Sequence, residues 1–330
     1  MAECPEYAYQ LWSEEQIRAY FEQDGANVDA LPKPAACLSA EEADALYPAP
    51  DAATFKTWFP GIKTSGTGLE DGAQPKGYVL CFANAGSAED VYTQQRSLAP
   101  ATSPLLDWCK AAGWTVLAAQ LPGRMGRVKE APLGACQQVA EALLPLLAGK
   151  LARRPYVVLA HSVGTWNAFE FLSLAREKGL PMPRRAFFGA FPAPSLPVGE
   201  RPWRRNAELS EGDFQELECK QWDVNPLVFN ETMWRTFGPI MRADFRLFDE
   251  YQYAREGAPP FEFPLTAFAA TADKKVTRAM VDQWQAFTTS SFDVVEIEGH
   301  HLFPLGQGAM KKAKLEWLTK VAAVLKDDKL

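Results

Sequence analysis

The fold of this 330-residue chain is decided by the stretch Tyr156-Val157-Val158-Leu159-Ala160-His161-Ser162-Val163-Gly164. Its β-branched and apolar residues predict a buried strand, and the small residues after them predict a sharp turn. From Thr165 to Leu172 apolar residues recur at helical spacing, so a helix should follow the turn directly. Strand, turn and helix in this order are the context of a G-x-S-x-G nucleophile elbow, with Ala160 in place of the first glycine. The pattern predicts that Ser162 is a nucleophile.

Strands and helices alternate on both sides of this stretch, which predicts a mostly parallel central sheet with helices on both faces. The predicted strands are residues 78–82, 115–120, 156–159, 185–191, 265–270 and 294–297. The predicted helices are residues 91–109 (broken at two prolines), 136–151, 165–177 and 310–325. Residues 200–260 interrupt the alternation with aromatic, helix-like sequence, at the place where an α/β hydrolase carries its lid. We therefore expect an α/β hydrolase fold with a helical lid insertion at about residues 200–260.

The N-terminal residues stand apart from this pattern. Residues 1–54 are predicted to form an N-terminal helical extension, and residues 55–330 the α/β hydrolase domain. Capping-box spacing occurs at Ser13-Glu14-Glu15-Gln16 and at Ser39-Ala40-Glu41-Glu42, and the second helix should stop at Tyr47-Pro48. The extension either decorates the core or contacts a partner or the lid, and the sequence leaves both readings open.

Composition excludes several classes of protein. A net charge of −7 and a pI near 5.2 argue against nucleic acid as a partner. Six cysteines without a C-x-x-C pair and three histidines provide no metal-ligand spacing. Neither a signal peptide nor an apolar window long enough for a membrane span is present. We expect a soluble cytoplasmic protein, with removal of a transit peptide as the alternative left open.

The three histidines supply the candidates for a general base. A serine hydroxyl needs such a base, and in α/β hydrolases the chain order is serine, acid, histidine. His161 lies inside the elbow, where its side chain points away from that of Ser162, so we interpret it as a packing residue. His300 and His301 lie in the loop after the last strand, so one of them is the predicted base.

The acid should follow the preceding strand. Asp273 stands three residues beyond strand 265–270 and is the predicted acid, with a turn or helix-cap aspartate as the alternative. Glu296 and Glu298 are weaker candidates, because the first lies within a strand and the second is close in sequence to His301. The oxyanion hole needs two N–H donors, one of them from Val163, the residue after the serine.

Several motifs resemble those of one family. The segments are FANAGS at 82–87, LPGRMGRVKEAP at 121–132, AHSVG at 160–164, RADF at 242–245 and GHHLF at 299–303. They are similar, in the same order, to segments of the type II thioesterases that serve polyketide, nonribosomal-peptide and fatty-acid synthases. The resemblance runs from about residue 55 to the C-terminus. The second and fourth segments are specific to that family rather than to α/β hydrolases at large.

The resemblance implies roles for individual residues. It makes Ser162 the nucleophile, Asp273 the acid and His301 the base, and it places the oxyanion donors at Ala85 and Val163. The chain departs from the family pattern at four positions without losing a catalytic group, namely Ala83, Ser87, Ala160 and His300.

The resemblance also implies an activity. The protein would hydrolyse acyl chains from the phosphopantetheine arm of an acyl or peptidyl carrier protein, or from acyl-CoA. Phosphopantetheine enters as part of the substrate, so no cofactor and no metal is expected, and the predicted partner is the carrier protein of a synthase. We expect a monomer without nucleic-acid or membrane partners. An oxygen-ester hydrolase or acyltransferase with the same triad is the alternative, and a non-catalytic interaction module a more remote one.

Carrier proteins are typically acidic, so docking on this acidic chain requires a local basic surface. The available clusters are Arg184 with Arg185, and Arg201 with Arg204 and Arg205. Ordinary solvated arginines are the competing interpretation.

Overall fold

A six-stranded parallel sheet forms the centre of the molecule. The computed structural model describes residues 37–63, 74–94 and 103–330. The strands are β1 Gly77–Phe82, β2 Trp114–Ala118, β3 Tyr156–His161, β4 Ala186–Gly189, β5 Leu265–Ala270 and β6 Phe292–Ile297. Their order is β2-β1-β3-β4-β5-β6, and every neighbouring pair is parallel. The predicted parallel sheet is confirmed, and the strand ends lie within one or two residues of their predicted positions.

Both faces of the sheet are covered by helices. The α-helices of four or more residues are α1 Ala40–Leu46, α2 Ala52–Trp58, α3 Asp90–Thr93, α4 Pro104–Ala112, α5 Cys136–Arg153, α6 Val163–Glu177, α7 Glu231–Asp249, α8 Arg278–Asp282 and α9 Met310–Asp327. Residues of α5 and α6 pack in one hydrophobic cluster, and residues of α4 and α9 pack in another. Alternate residues of β1 belong to the two clusters, which is why all of β1 is buried and apolar.

Helix α1 forms as its sequence predicts. The Ser39 side chain accepts a hydrogen bond from the Glu42 N–H, and the Glu42 carboxylate accepts one from the Ser39 N–H, which completes the capping box. The helix ends at Leu46 with Tyr47 as its C-cap. The helix predicted after Ser13 lies outside the described residues.

Helix α2 was not predicted, and it connects the N-terminal segment to the sheet. Asp51 caps it, and Phe59 directly after it is buried. The Trp58 carbonyl accepts a hydrogen bond from the Gln120 N–H, beyond the end of β2. Leu38–Leu330 belongs to one compact unit. The division of the chain at residue 54 stays a prediction from the sequence.

The segment between β4 and β5 is a helical insertion. It contains short 3₁₀ and π turns and the 19-residue helix α7, whose N-cap Asn230 accepts a hydrogen bond from the Met233 N–H. Pro239 lies inside α7, where it removes one hydrogen bond of the helix. The face of α7 that carries Met241 and Phe245 is buried. In the described ranges no helix combines the length and apolar character that a bilayer crossing requires.

Candidate active site

Ser162 lies at the sharp turn between β3 and α6. Its φ of 55° and ψ of −137° are unusual for a residue with a side chain, and such strain is typical of a nucleophile elbow. The Ser162 N–H donates to the Gly189 carbonyl at the end of β4, which holds the turn in place. The predicted strand–turn–helix around Ser162 is therefore present in the fold.

The small residues around Ser162 permit close approaches. A Cβ at Gly164 would lie 2.7 Å from the Ala83 carbonyl oxygen and closer still to that of Phe82, so only glycine lets α6 begin against the end of β1. Ala160, by contrast, is a buried strand residue in register with Phe82 and Phe188, and its methyl group belongs to the core. The departure from glycine at this position is accommodated by packing.

Three side chains from separate loops form one chain of hydrogen bonds. The Ser162 Oγ lies 2.8 Å from His301 Nε2, and His301 Nδ1 lies 2.6 Å from Asp273 Oδ2. The other oxygen of Asp273 accepts hydrogen bonds from the Lys275 and Val276 N–H groups at 2.9 Å and 3.0 Å. Parallel strands bring these loops to one edge of the sheet, because Ser162, Asp273 and His301 follow the carboxyl ends of β3, β5 and β6.

Asp273 is the charged member of this chain. Burial of Asp273 favours its neutral form, but the neighbouring His301 and the two backbone N–H donors outweigh burial, so the pKa of Asp273 lies below its ordinary value. The ionised Asp273 carboxylate accepts a hydrogen bond from His301 Nδ1–H, which leaves Nε2 free to accept the Ser162 hydroxyl proton. The side chains of Asp273 and His301 are about 1% and 2% exposed, so water competes little with these bonds.

His161 makes a specific hydrogen bond in addition to packing in the core. Its Nε2 lies 2.8 Å from the His301 backbone carbonyl, so Nε2–H donates to the loop that carries His301. Burial lowers the pKa of His161 to about 3, which keeps the imidazole neutral. Gly189 makes room for the ring, since a Cβ there would lie 2.6 Å from His161 Nδ1. The sequence interpretation missed this contact because it joins residues 140 positions apart.

The other predicted candidates lie away from the hydrogen-bonded chain. His300 is about one-third exposed, and its Nδ1 lies 3.9 Å from Asp223. Glu296 and Glu298 are exposed and lie near Arg278 and Lys312 respectively. Of the two adjacent histidines, only His301 contacts Ser162 and Asp273. Within the described ranges no three His, Cys, Asp or Glu side chains group in a way that could hold a metal.

Two unbonded N–H groups flank Ser162. Val163 is the first residue of α6, and its N–H has no acceptor in the described structure, as is usual in the first turn of a helix. The Ala85 N–H likewise makes no hydrogen bond there, although the next N–H in the chain, that of Gly86, is bonded to Asp244. Ala85 lines the cavity described below, whereas the Val163 side chain is buried and is not part of the lining of that cavity.

A cavity of about 930 Å³ opens at Ser162 and His301. Its wall is largely apolar, and much of it comes from the helical insertion. The insertion residues at the wall are Trp222, Val224, Asn225, Leu227, Val228, Met233, Phe237, Met241, Phe245 and Phe248. The Trp222 ring also contacts the His301 imidazole edge-on at 4.5 Å between centroids. A cavity of this size and character fits a ligand with a long apolar part.

The two predicted basic clusters differ in availability. Arg185 is buried and pairs with Asp328, and Arg201 donates to the carbonyls of Phe248 and Tyr251. Both arginines therefore serve internal contacts. Arg205 is about half exposed beside Glu208 and remains accessible.

The comparisons with known proteins agree with this geometry. A family model described as "Thioesterase domain" matches residues 79–313. The chain belongs to this family. Gramicidin S biosynthesis protein GrsT of Aneurinibacillus migulanus is 32% identical over 192 residues, which is 57% of this chain and 72% of GrsT. The human medium-chain S-acyl fatty acid synthase thioesterase is 24% identical over 200 residues, or 59% of this chain and 72% of that protein.

Among solved structures, the RedJ thioesterase from the prodiginine pathway of Streptomyces coelicolor is 26% identical, with a TM-score of 0.63 over 81% of this chain and 98% of RedJ. The protein is a serine hydrolase that acts on thioesters. The predicted family and enzyme class are confirmed. Membership of an enzyme family argues against the alternative of a non-catalytic module.

Proposed function

We propose that the protein hydrolyses acyl chains from the phosphopantetheine arm of a carrier protein by a Ser-His-Asp mechanism. The observation that carries this proposal is the hydrogen-bonded chain from Ser162 through His301 to Asp273, which opens onto the apolar cavity of about 930 Å³. The cavity would take the acyl chain, and the helical insertion at about residues 200–260 would act as its lid. A carrier protein presents such a chain as a thioester on a flexible arm. The geometry needs no cofactor for this reaction.

The chemistry follows from the distances. Ser162 Oγ attacks the thioester carbonyl while its proton moves to His301 Nε2, and Asp273 stabilises the imidazolium. The N–H groups of Ala85 and Val163 would receive the developing oxyanion. Collapse of the tetrahedral intermediate breaks the carbon–sulfur bond, and His301 returns its proton to the leaving thiolate. Water then attacks the acyl-serine with His301 as base, which releases the acid and restores the Ser162 hydroxyl.

The experiment measures release of free thiol from acyl-pantetheine and acyl-carrier-protein thioesters. Ser162→Ala and His301→Ala should each lower kcat by about 10⁴-fold or more, because the triad acts as a unit. His300→Ala is the matched control and should stay within about threefold of the wild type, since His300 contacts neither partner. Substantial turnover by Ser162→Ala would refute the serine mechanism. A large loss of kcat in His300→Ala, without one in His301→Ala, would identify His300 as the base instead of His301.

The choice of substrate needs a separate measurement. Matched acyl groups on a carrier protein, on coenzyme A and in an aryl ester, compared at low and high salt, distinguish the donors. Electrostatic docking raises the association rate and is screened by salt, so a preference for carrier protein should fade at high salt. Ester formation in the presence of an alcohol would instead identify an acyltransferase. The cytoplasmic location and monomeric state remain predictions from the sequence.

A further inference from the structure

A buried ion pair joins two of the motifs that the mechanism leaves without a role. Arg124 lies in the loop after β2 and Asp244 on α7, 120 residues apart in sequence. Two parallel hydrogen bonds of 2.6 Å and 2.5 Å connect the guanidinium to the carboxylate. The two side chains are about 6% and 3% exposed. Apolar residues often replace a buried ion pair without loss of stability, so stability alone is a weak reason for this one.

The same two residues hold the turn that carries Ala85. Asp244 Oδ2 accepts a hydrogen bond from the Gly86 N–H at 2.7 Å. Arg124 donates a hydrogen bond of 2.9 Å to the Ser87 carbonyl. A third constraint comes from α7, because the Met241 sulfur occupies the space where a Cβ of Gly86 would lie. Gly86 also has a φ of 73°, which glycine adopts without strain.

We propose that Arg124 and Asp244 are positioning residues that fix the direction of the Ala85 N–H. This inference rests on the proposed function, in which that N–H receives the oxyanion. The Gly86 N–H belongs to the peptide directly after Ala85. Asp244 accepts a hydrogen bond from this N–H and Arg124 donates one to the Ser87 carbonyl, so together they restrict rotation of the whole turn. A hydrogen-bond donor stabilises an oxyanion fully only when it is already oriented before the reaction. The Asp244 carboxylate and the Arg124 guanidinium lie outside the turn and hold the N–H in this orientation.

Three variants separate positioning from stability. Asp244→Asn removes the charge that holds Gly86 and Arg124. The double variant Arg124→Leu with Asp244→Leu replaces the whole pair by apolar side chains, which should preserve the fold. Glu170→Gln is the matched control, because Glu170 pairs with Arg255 at 2.9 Å, is equally buried and makes no hydrogen bond to the 84–87 turn. The measurements are kcat and KM for an acyl thioester, the rate of fluorophosphonate labelling of Ser162, and the midpoint of thermal unfolding.

Positioning predicts a split between these measurements. Asp244→Asn and the double variant should lower kcat by roughly 10- to 100-fold with KM changed less than about threefold, because the lost interaction acts on the transition state. Labelling of Ser162 should slow in parallel. Glu170→Gln should lower the unfolding midpoint and keep kcat. A folded double variant with wild-type kcat would overturn the inference, as would equal kcat losses in Glu170→Gln.

Two further results complete the test. If Asp244→Asn and the double variant both fail to fold, Arg124→Lys decides, because lysine keeps the positive charge but cannot form the paired hydrogen bonds of a guanidinium. Wild-type kcat in Arg124→Lys contradicts the inference, and a selective loss of kcat supports it. If the wild type releases no thiol, or Ser162→Ala retains turnover, the proposed function itself fails. An active, Ser162-dependent enzyme with an unimpaired double variant overturns only the positioning role.

Discussion

Gly164→Ala tests whether the close approach of α6 to β1 governs catalysis. The added Cβ would lie 2.7 Å from the Ala83 oxygen, whereas ordinary contacts begin near 3.4 Å. The three nearest obstructing atoms all belong to the backbone of Phe82 and Ala83. The end of β1 and the start of α6 must therefore separate by roughly 0.7 Å or more. This approaches the misplacement of about 1 Å that can cost an enzyme about 10²-fold in rate. The separation would move Ala85 away from Val163, because Ala85 follows the end of β1 and Val163 is the first residue of α6.

The assay for Gly164→Ala is steady-state hydrolysis of an acyl thioester, with circular dichroism to follow the fold. We expect kcat to fall by about 10²-fold while KM changes little, because in the proposed mechanism the two N–H groups act on the transition state. Gly199→Ala is the control, since a Cβ there meets no atom within 4 Å. If folded Gly164→Ala turns over at more than about a third of the wild-type kcat, the close approach does not set the position of the donors.

Two further predictions concern the buried carboxyl group of Asp249 and the cavity-wall residue Phe237. Burial raises the pKa of Asp249 from 3.8 to about 6, despite hydrogen bonds from Asn206, so the folded state holds its proton more tightly than the unfolded state does. The free energy of unfolding should accordingly fall by up to about 2 kcal/mol as pH rises from about 4 to about 6. Asp249→Asn should lack this fall. Urea titrations in which the wild type and Asp249→Asn show the same dependence of unfolding free energy on pH would contradict this prediction. Phe237→Ala removes part of the cavity wall and should lower kcat/KM for long acyl chains about fivefold, as expected for roughly 1 kcal/mol of lost apolar contact, with little effect on acetyl substrates. Trp234→Ala, on the same helix but outside the cavity wall, should change neither, and equal effects of Phe237→Ala on long and short chains would indicate a purely structural role.

Much of the sheet could be predicted because strands buried on both faces are recognisable as short apolar runs. β1 and β5 are such runs, and their ends matched within one residue. β6 was predicted two residues too short, because it is an edge strand whose first residue, Phe292, is only partly buried and whose second, Asp293, is exposed. The insertion was recognised from its aromatic content, whereas the bounds of α7 were not, since Pro239 disguises a continuous helix.

The candidate site was predictable to the extent that chain order reflects topology. Ser162, Asp273 and His301 each follow a strand of one parallel sheet, so their convergence follows from the fold, and the resemblance selected His301 over His300. The partners of Arg124 and His161 could not be predicted in this way. Their contacts join residues more than a hundred positions apart, and no local pattern indicates which carboxylate or carbonyl lies opposite.

Helix α2 has a consequence for how much of the chain the enzyme needs. The Arg127 guanidinium lies 4.0 Å above the Trp58 ring and donates a hydrogen bond to the Gln120 carbonyl, while the Gln120 N–H donates to Trp58. These contacts lie on both sides of Arg124 in its loop. Trp58, which takes part in them, belongs to a segment that precedes the family match beginning at residue 79. Residues outside the shared domain thus act as a built-in scaffold for one of its signature loops. A shortened enzyme that begins at the match would have to fold that loop without the contacts to Trp58.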